Sequence, residues 1–244
     1  MSAKTQKVQC GNCHSEISGN YCSQCGSPQT LKRINGAYIL SEIGRVINFD
    51  KGLLFTIKEL VVRPGITVQN FIHKDRNRLV KPIIFLIICS LIYTIAQELL
   101  RFEDGYINAG GFEEPTIALM IDYIQSNYGY LNILMAVFIA IWIKIFFRKY
   151  PYNFFEVLIL LCFVIGIGML IYTVLGIAES LTNLNVLHFA GFIGAAYISW
   201  GIGSFFDKNK KINYLKAILS YILGMITFSM LLILLGLLIS LGVK

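Results

Sequence analysis

Charged residues are scarce in this sequence. Asp, Glu, Lys and Arg make up 14% of its 244 residues, whereas hydrophobic residues make up 56%. In soluble globular domains about a quarter of the residues are charged. A chain with so few charges cannot cover a soluble surface, which excludes an ordinary soluble enzyme or binding module. The composition predicts an all-α polytopic membrane protein.

Acidic residues are scarcest in the first third of the chain. Residues 1–81 hold 12 Lys and Arg but 5 Asp and Glu, and residues 82–244 hold 9 of each sign. The whole net charge of +7 therefore precedes the first long apolar run. Positive charge beside a membrane span favours anionic lipid as the partner. Nucleic acid, which also binds basic segments, is less favoured because these residues cluster next to a span.

A catalytic set and a signal peptide are also missing. No Ser/His/Asp set, carboxylate pair or His-Glu-x-x-His motif occurs at a spacing that suits catalysis. We therefore predict no catalytic residue, and an enzyme is the less favoured interpretation. Residues 1–30 contain no apolar run of signal-peptide length, so we expect the first span to serve as the insertion signal.

Four of the 6 cysteines form one N-terminal cluster with the pattern C-x2-C-x8-C-x2-C: Cys10, Cys13, Cys22 and Cys25. Each C-x2-C pair can hold one side of a tetrahedral ion, so we predict a zinc ribbon over residues 1–30 with structural Zn²⁺. A thioredoxin-like redox pair and an iron site with the same four sulfurs are the alternatives. Four thiolates leave no open coordination position, so the ion is not expected to catalyse a reaction.

Residues 31–81 form a basic, amphipathic segment before the first span. Apolar spacing predicts helices over 37–47, over 53–61 with Asp50 as the cap, and through residue 72 with Thr67 as the cap. These helices are too short to cross a bilayer. They lie either in the membrane interface or against the bundle. The candidate lipid- or partner-binding residues of this segment are Arg63, Lys74, Arg76, Arg78 and Lys81.

Residues 82–244 contain about five apolar stretches of spanning length. Lys and Arg concentrate in alternate connections, which predicts a cytoplasmic N-terminus and an external C-terminus in a cell inner membrane. The last stretch is long enough to tilt or break, and a re-entrant segment is its alternative. The predicted spans cover residues 82–100, 128–147, 153–178, 187–206 and 214–242.

Ionisable residues within spans are costly and therefore mark candidates for function. Glu156 lies at the start of the third span, and we predict that it pairs with Lys144 or Arg148 to join spans two and three. A proton or ion pathway through Glu156 is the alternative. Thr56 and Glu59 complete the candidate intramembrane polar residues.

Small residues recur at four-residue spacing in the last two spans. Such spacing lets helix backbones approach closely, and it also suits the face of a homo-oligomer. The pairs are Ala190 with Gly194, Gly191 with Ala195, Ser199 with Gly203, and Ser220 with Gly224.

This chain contains four motifs: YCSQCG, the run FDKGLLFTIKELVVRPG, the D-R-x-R-x-x-K-P run at residues 75–82, and N-x-x-E at residues 153–156. In these motifs the chain resembles bacterial membrane proteins of the family called domain of unknown function 3667. The resemblance implies a cytoplasmic zinc ribbon joined to a helical membrane domain, without an established activity. It also marks polar positions to test: Thr56, Glu59, Arg63, Asp75, Arg76, Arg78 and Lys81.

The sequence therefore favours a regulatory or scaffolding protein. Its ribbon and basic segment would bind a cytoplasmic protein partner or anionic lipid. A small transporter or channel-like protein, using Glu156, is the second interpretation. A membrane enzyme acting on a lipid or isoprenoid phosphate, held by the arginines, is the third.

Overall fold

The computed structural model describes residues 8–10, 13–17, 19–26, 52–102, 128–182 and 185–242. The chain divides into two units, Met1–Val46 and Ile47–Lys244. The sequence-based boundaries after residues 30 and 81 stay predictions. The helix expected over 37–47 and the cap expected at Asp50 lie outside the described residues.

The first unit contains a short antiparallel hairpin. Strand β1 (Val8–Gln9) pairs with β2 (Glu16–Ile17), with Val8 opposite Ile17. Each C-x2-C pair lies within a tight turn. The His14 amide donates to the Cys10 carbonyl at 3.0 Å, and the Gly26 amide donates to the Cys22 carbonyl at 2.9 Å. Gly26 has a φ of +72°, a conformation that favours glycine. These turns bring each pair of cysteines to one side of the hairpin end.

In its described residues the second unit is all-helical. Two short helices, α1 (Leu53–Val62) and α2 (Pro64–His73), precede five long ones. The long helices are α3 (Pro82–Leu100), α4 (Tyr128–Phe146), α5 (Phe154–Thr182), α6 (Leu187–Asp207) and α7 (Lys211–Gly242).

Each predicted span coincides with a helix, so the all-α polytopic fold is confirmed. In the part of the chain that the structure describes, four helices are long and apolar enough to cross a membrane: Pro82–Leu100, Phe154–Thr182, Leu187–Asp207 and Lys211–Leu235. Within α4, residues Leu134–Phe146 form a shorter apolar helix. Whether α4 crosses as the second of five spans stays a prediction.

Helix α5 lies at the centre of the bundle. It contacts α3, α4 and α6. In its most apolar 18-residue stretch 61% of the residues are buried, compared with 28% in the corresponding stretch of α3. Phe163 of α5 packs against Phe85 of α3 and Phe71 of α2, with ring centroids 5.6 and 5.4 Å apart. A helix that is apolar all round belongs inside such an assembly. Helix α7 packs on α4 and α6 at the far side.

An aromatic layer lines one end of the bundle. Phe147, which follows α4, stacks on Phe206 of α6 with centroids 3.9 Å apart, and Tyr152 lies 4.4 Å from Phe205. His73 at the end of α2 contacts Tyr152 at 5.7 Å. Aromatic side chains of this kind concentrate at membrane interfaces. The layer therefore places the end of α2 beside the α4–α5 and α6–α7 connections.

The short helices pack on the bundle, which is one of the two alternatives stated for them. Helix α2 contacts α6 and α5, and α1 contacts α5. The expected cap at Thr67 is wrong, because α2 already begins at Pro64, with Arg63 as its N-cap. Proline suits the first position of a helix, where its missing N–H would have no partner. Thr67 instead donates its Oγ1 hydrogen to the Glu59 carbonyl at 3.2 Å.

Candidate functional site

The four N-terminal cysteines converge on one point. Their Sγ atoms all lie within 4.8 Å of one another. The Sγ atoms of Cys10 and Cys25 are 3.5 Å apart, as are those of Cys13 and Cys22. Cys10 and Cys22 are buried, whereas Cys13 and Cys25 are exposed. The predicted cluster is therefore assembled and able to bind a metal ion.

Ser15 is a residue of this site that the sequence reasoning missed. Its Oγ lies 2.9 Å from the Cys13 Sγ and 3.0 Å from the Cys22 Sγ. The Ser15 hydroxyl, and after it the Cys25 backbone amide, lower the pKa of the Cys22 thiol. The thiolate is the form that ligates metals, so the lowered pKa favours ligation by Cys22. The pKa of the Cys13 thiol is raised, despite the Ser15 hydroxyl, by the neighbouring Cys25 and Cys22 side chains and by desolvation. A hydroxyl two residues after the first cysteine pair was the available signal.

Thr56 joins α1 to the segment before the first span. Its side chain is fully buried, donates to the Gly52 carbonyl at 3.0 Å and accepts from the Val80 amide at 3.1 Å. Thr56 lies in α1, one of the short helices, and its role as an intramembrane polar residue stays a prediction. Its hydroxyl fixes the position of residues 74–81 relative to α1.

Removing the Thr56 hydroxyl is expected to destabilise this junction. In Thr56→Val the Val80 amide loses its acceptor, and an unsatisfied buried amide costs about 1–3 kcal/mol. We expect the free energy of unfolding of the purified protein, measured by denaturant titration in detergent, to fall by that amount. Thr56→Ser keeps the hydroxyl and should recover most of the loss. Equal stability of the Val and wild-type proteins would show that the bond contributes nothing.

Glu59 and Arg63 belong to the turn between α1 and α2. Their side chains form an ion pair with 3.4 Å between Oε1 and Nη2, and the Arg63 side chain is 60% exposed. Exposed pairs of this kind contribute little stability. The Glu59 carbonyl also accepts from the Arg63 amide at 2.9 Å. Glu59 thus lies in the short helix α1, as Thr56 does, and not in a span.

The basic residues between α2 and α3 are exposed: Lys74, Arg76, Arg78 and Lys81. The Arg78 guanidinium lies 5.2 Å from the centroid of the Phe55 ring, a cation–π contact. A cleft of about 140 Å³ includes Lys74 and Arg78, but Glu59 and Asp75 line it too. Two carboxylates beside two cations disfavour a bound phosphate inside this cleft. The exposed outer surface is the better candidate for contact with anions.

Among the described residues, Glu156 forms the predicted ion pair with neither Lys144 nor Arg148. The Asn153 Oδ1 accepts from the Glu156 amide at 2.9 Å, and the Glu156 Oε2 accepts from the Asn153 amide at 2.7 Å. This reciprocal arrangement is a capping box that begins α5. The Lys144 Nζ donates to the Tyr152 carbonyl at 2.6 Å. Glu156 and Lys144 therefore each bind a nearby backbone group and do not bind each other. The N-x-x-E motif marks the start of α5.

The pair of short helices is fixed to α6 by backbone contacts. The Tyr197 hydroxyl donates to the Leu60 carbonyl at 3.0 Å, and the Gln69 amide group donates to the Phe205 carbonyl. A Cβ placed on Gly65 would lie 2.5 Å from the carbonyl carbon of Ser204. Only glycine permits this approach. The R-P-G motif therefore starts α2 and seats it against α6.

The two short helices lie in a stretch of the chain that matches a family model. Residues 50–94 match the family described as "Protein of unknown function (DUF3667)". This confirms the resemblance seen in the sequence. No curated protein and no solved structure matches the chain. The matched stretch contains α1, α2, the basic residues 74–81 and the first part of α3. Its polar motif residues therefore lie together at one end of the bundle.

Proposed function

We propose that this integral membrane protein is a non-enzymatic anchor. It holds its basic segment, residues 74–81, on anionic lipid of a cell inner membrane and presents a zinc ribbon to a cytoplasmic protein partner. The observation that carries this proposal is the outer surface of α1 and α2, where exposed apolar side chains adjoin exposed cations.

Helix α1 is apolar on two sides. One side, with Thr56 and Leu60, is buried against the protein. The other exposes Leu54, Val61 and Val62, of which Val62 is 60% exposed. Ile66 of α2 adds a 42% exposed side chain. An apolar stripe facing away from the protein is stable against the acyl boundary of a membrane, which supports an interfacial position for these helices.

The cations lie where lipid head groups would meet this stripe. Lys74, Arg76, Arg78 and Lys81 follow α2 and directly precede α3. Each Lys or Arg near an anionic membrane surface contributes about 1 kcal/mol to attraction. Contact of this kind would fix the short helices on both sides, by protein on one and by lipid on the other.

The orientation proposed is a cytoplasmic N-terminus and an external C-terminus, with five spans. Exposed Arg148, Lys149, Lys208 and Lys210 lie in the α4–α5 and α6–α7 connections. The aromatic contacts of Tyr152 and Phe206 place these connections at the same end as His73 of α2. Positive charge gathered at one end of a bundle supports placing that end in the cytoplasm.

We propose Zn²⁺ as the ion of the cysteine cluster. Zinc bound to four thiolates at about 2.3 Å requires sulfur–sulfur separations of about 3.8 Å. The observed separations, from 3.5 Å up to the 4.8 Å limit, fit that tetrahedron. When bound, the ion would supply folding energy and no open coordination position, so the ribbon would act as a rigid surface for recognition.

Removing three cations of the basic segment tests the lipid contact. Arg76→Gln/Arg78→Gln/Lys81→Gln should weaken the preference for phosphatidylglycerol over phosphatidylcholine about 100-fold, since three charges contribute about 3 kcal/mol. The measurement is energy transfer from tryptophan to dansyl-labelled phosphatidylglycerol in nanodiscs, competed with unlabelled lipid. Added salt should reduce the wild-type preference.

A matched control removes the same charge at the same end. Arg148→Gln/Lys149→Gln/Lys208→Gln lies outside the basic segment and should change the preference less than threefold. Protease protection first confirms that each variant is inserted like the wild type. If both triple variants lost preference equally, the basic segment would be a general orientation signal and the proposal would fail.

A further inference from the structure

The second unit contains a cavity that none of the predicted sites uses. Its volume is about 570 Å³, within the range of pockets that hold small organic ligands. It is lined by α3, α4, α5, α6 and α7. At its rim, Phe192 is 78% exposed, so the cavity opens on the side of the bundle that faces acyl chains.

The cavity lies toward the end of the bundle opposite the basic segment. Asn132 is in the second turn of α4, and His188 is in the first turn of α6. The stacking of Phe147 on Phe206 holds the far ends of these two helices together. Ile198, Ile218 and Ile222 line the cavity nearer the middle of the bundle. The polar groups thus lie near one membrane surface and the aliphatic wall lies deeper.

Asn132 carries a hydrogen-bond donor without a protein acceptor. The residue is 5% exposed, lines the cavity, and its Nδ2 has no hydrogen-bond partner among the described residues. A buried amide left in this way costs about 1–3 kcal/mol. A ligand with an acceptor atom at this position would remove that cost.

Small residues of α6 create the space. A Cβ added to Gly191 meets nothing within 4 Å, and one added to Gly194 meets only the Gly168 carbonyl oxygen at 3.9 Å. By contrast, a Cβ on Gly203 or Gly224 would lie 2.6 or 2.5 Å from a neighbouring side chain. The prediction of close packing therefore holds for Gly203 and Gly224. The small residues between Ala190 and Ala196 line the cavity instead.

We propose that this cavity binds a neutral lipid whose polar end carries a carbonyl group, such as a quinone or a diacylglycerol. The carbonyl accepts from the Asn132 Nδ2, and the apolar part lies along the isoleucines. Tyr93 and Tyr172, whose rings meet edge to face at 6.2 Å, offer an aromatic wall to a planar head group. The described lining contains no Lys, Arg, Asp or Glu, and His188 is its one residue that can become a cation, so a charged phosphate would lack a permanent counter-ion.

The test is native mass spectrometry of the full chain in detergent, titrated with three probes. These are decylbenzoquinone, dioctanoylglycerol and dioctanoyl phosphatidate. We expect a 1:1 adduct with one or both neutral probes, and the adduct that forms identifies the head group. Phosphatidate should bind at least tenfold more weakly. Preference for phosphatidate, or no adduct with either neutral probe, would overturn the proposal.

Two substitutions connect binding to the cavity. Asn132→Leu keeps the volume but removes the donor, and should weaken the neutral adduct about tenfold. Because it also removes an unsatisfied polar group, the ligand-free variant should unfold at the wild-type temperature or higher. A merely structural asparagine would not show both changes. Gly191→Leu fills the space and should abolish the adduct.

Ile193→Leu is the matched control, since Ile193 is 46% exposed and is not part of the lining. It should bind like the wild type. If Asn132→Leu and Gly191→Leu, folded at the wild-type unfolding temperature, also bound like the wild type, the cavity would not be the site. The proposal is independent of lipid anchoring at the other end, because the triple Gln variant of the basic segment should form the neutral adduct normally.

Discussion

Replacing Gly65 with alanine is expected to detach α2 from α6. The added Cβ would lie 2.5 Å from the Ser204 carbonyl carbon and 2.6 Å from the Phe205 amide nitrogen, which are backbone atoms of a packed helix. A backbone cannot rotate aside as a side chain does, so the two helices must separate. Overpacking of this kind costs about 1–3 kcal/mol and occasionally more, and the clash here is with backbone atoms.

The free energy of unfolding and the hydrogen exchange of α1 and α2 measure this effect. We expect faster exchange in α1 and α2, because Leu60, Val68 and Phe71 lose part of their burial. Gly191→Ala serves as the control, since its Cβ meets open space. It should leave stability unchanged or raise it by up to about 1 kcal/mol, because alanine has the higher helix propensity. Gly65→Ala with wild-type stability and exchange would show that the short helices dock without this contact.

The second large effect is expected from Cys22→Ser/Cys25→Ser. The buried hydrophobic cluster of the first unit consists, in the residues described, of Cys10 and Cys22. So small a core cannot stabilise a fold, so the proposed metal ion would have to supply that stability. Zinc binding by zinc-finger peptides is worth about 10–16 kcal/mol, and loss of two thiolates should abolish it. We expect metal content to fall from one ion per chain to none, and amide exchange in residues 8–26 to become fast.

The control is Cys162→Ser, because Cys162 lies in α5, outside the cluster. Its metal content should equal that of the wild type. Iron in place of zinc in the wild type would contradict the proposed ion, and no metal at all would contradict the site. Because the cluster lies in a separate unit, the unfolding temperature of the bundle should not change in the double variant.

The same double variant tests the proposed protein partner. Crosslinking in intact cells at matched membrane abundance should recover a discrete protein with the wild type and not with Cys22→Ser/Cys25→Ser. Recovery of the same protein from both would show that the ribbon does not carry recognition. Absence of any crosslinked protein from the wild type would remove the partner from the proposal and leave lipid contact alone.

Where the sequence reasoning failed, a nearby backbone group had replaced the expected partner. Thr67 has the chemistry of a helix cap, yet α2 already begins at Pro64, and the Thr67 hydroxyl donates to the Glu59 carbonyl instead. Glu156 and Lys144 have the charges of an ion pair, but each finds a backbone partner closer by. Charge and spacing show what a side chain can do, and only coordinates show which partner it meets first.

The sequence by itself determined the features that depend on local chemistry. Cys10 to Cys25 converge because two short turns suffice to bring them together, and the long helices follow from apolar stretches that satisfy their own backbone. Tertiary structure alone decided the contacts between residues far apart in the chain. Gly65 meets Ser204, and Gly191 faces open space while Gly224 is packed against Ile139. The same residue type serves close packing in one place and a cavity in another, because the neighbouring helix decides what lies opposite it.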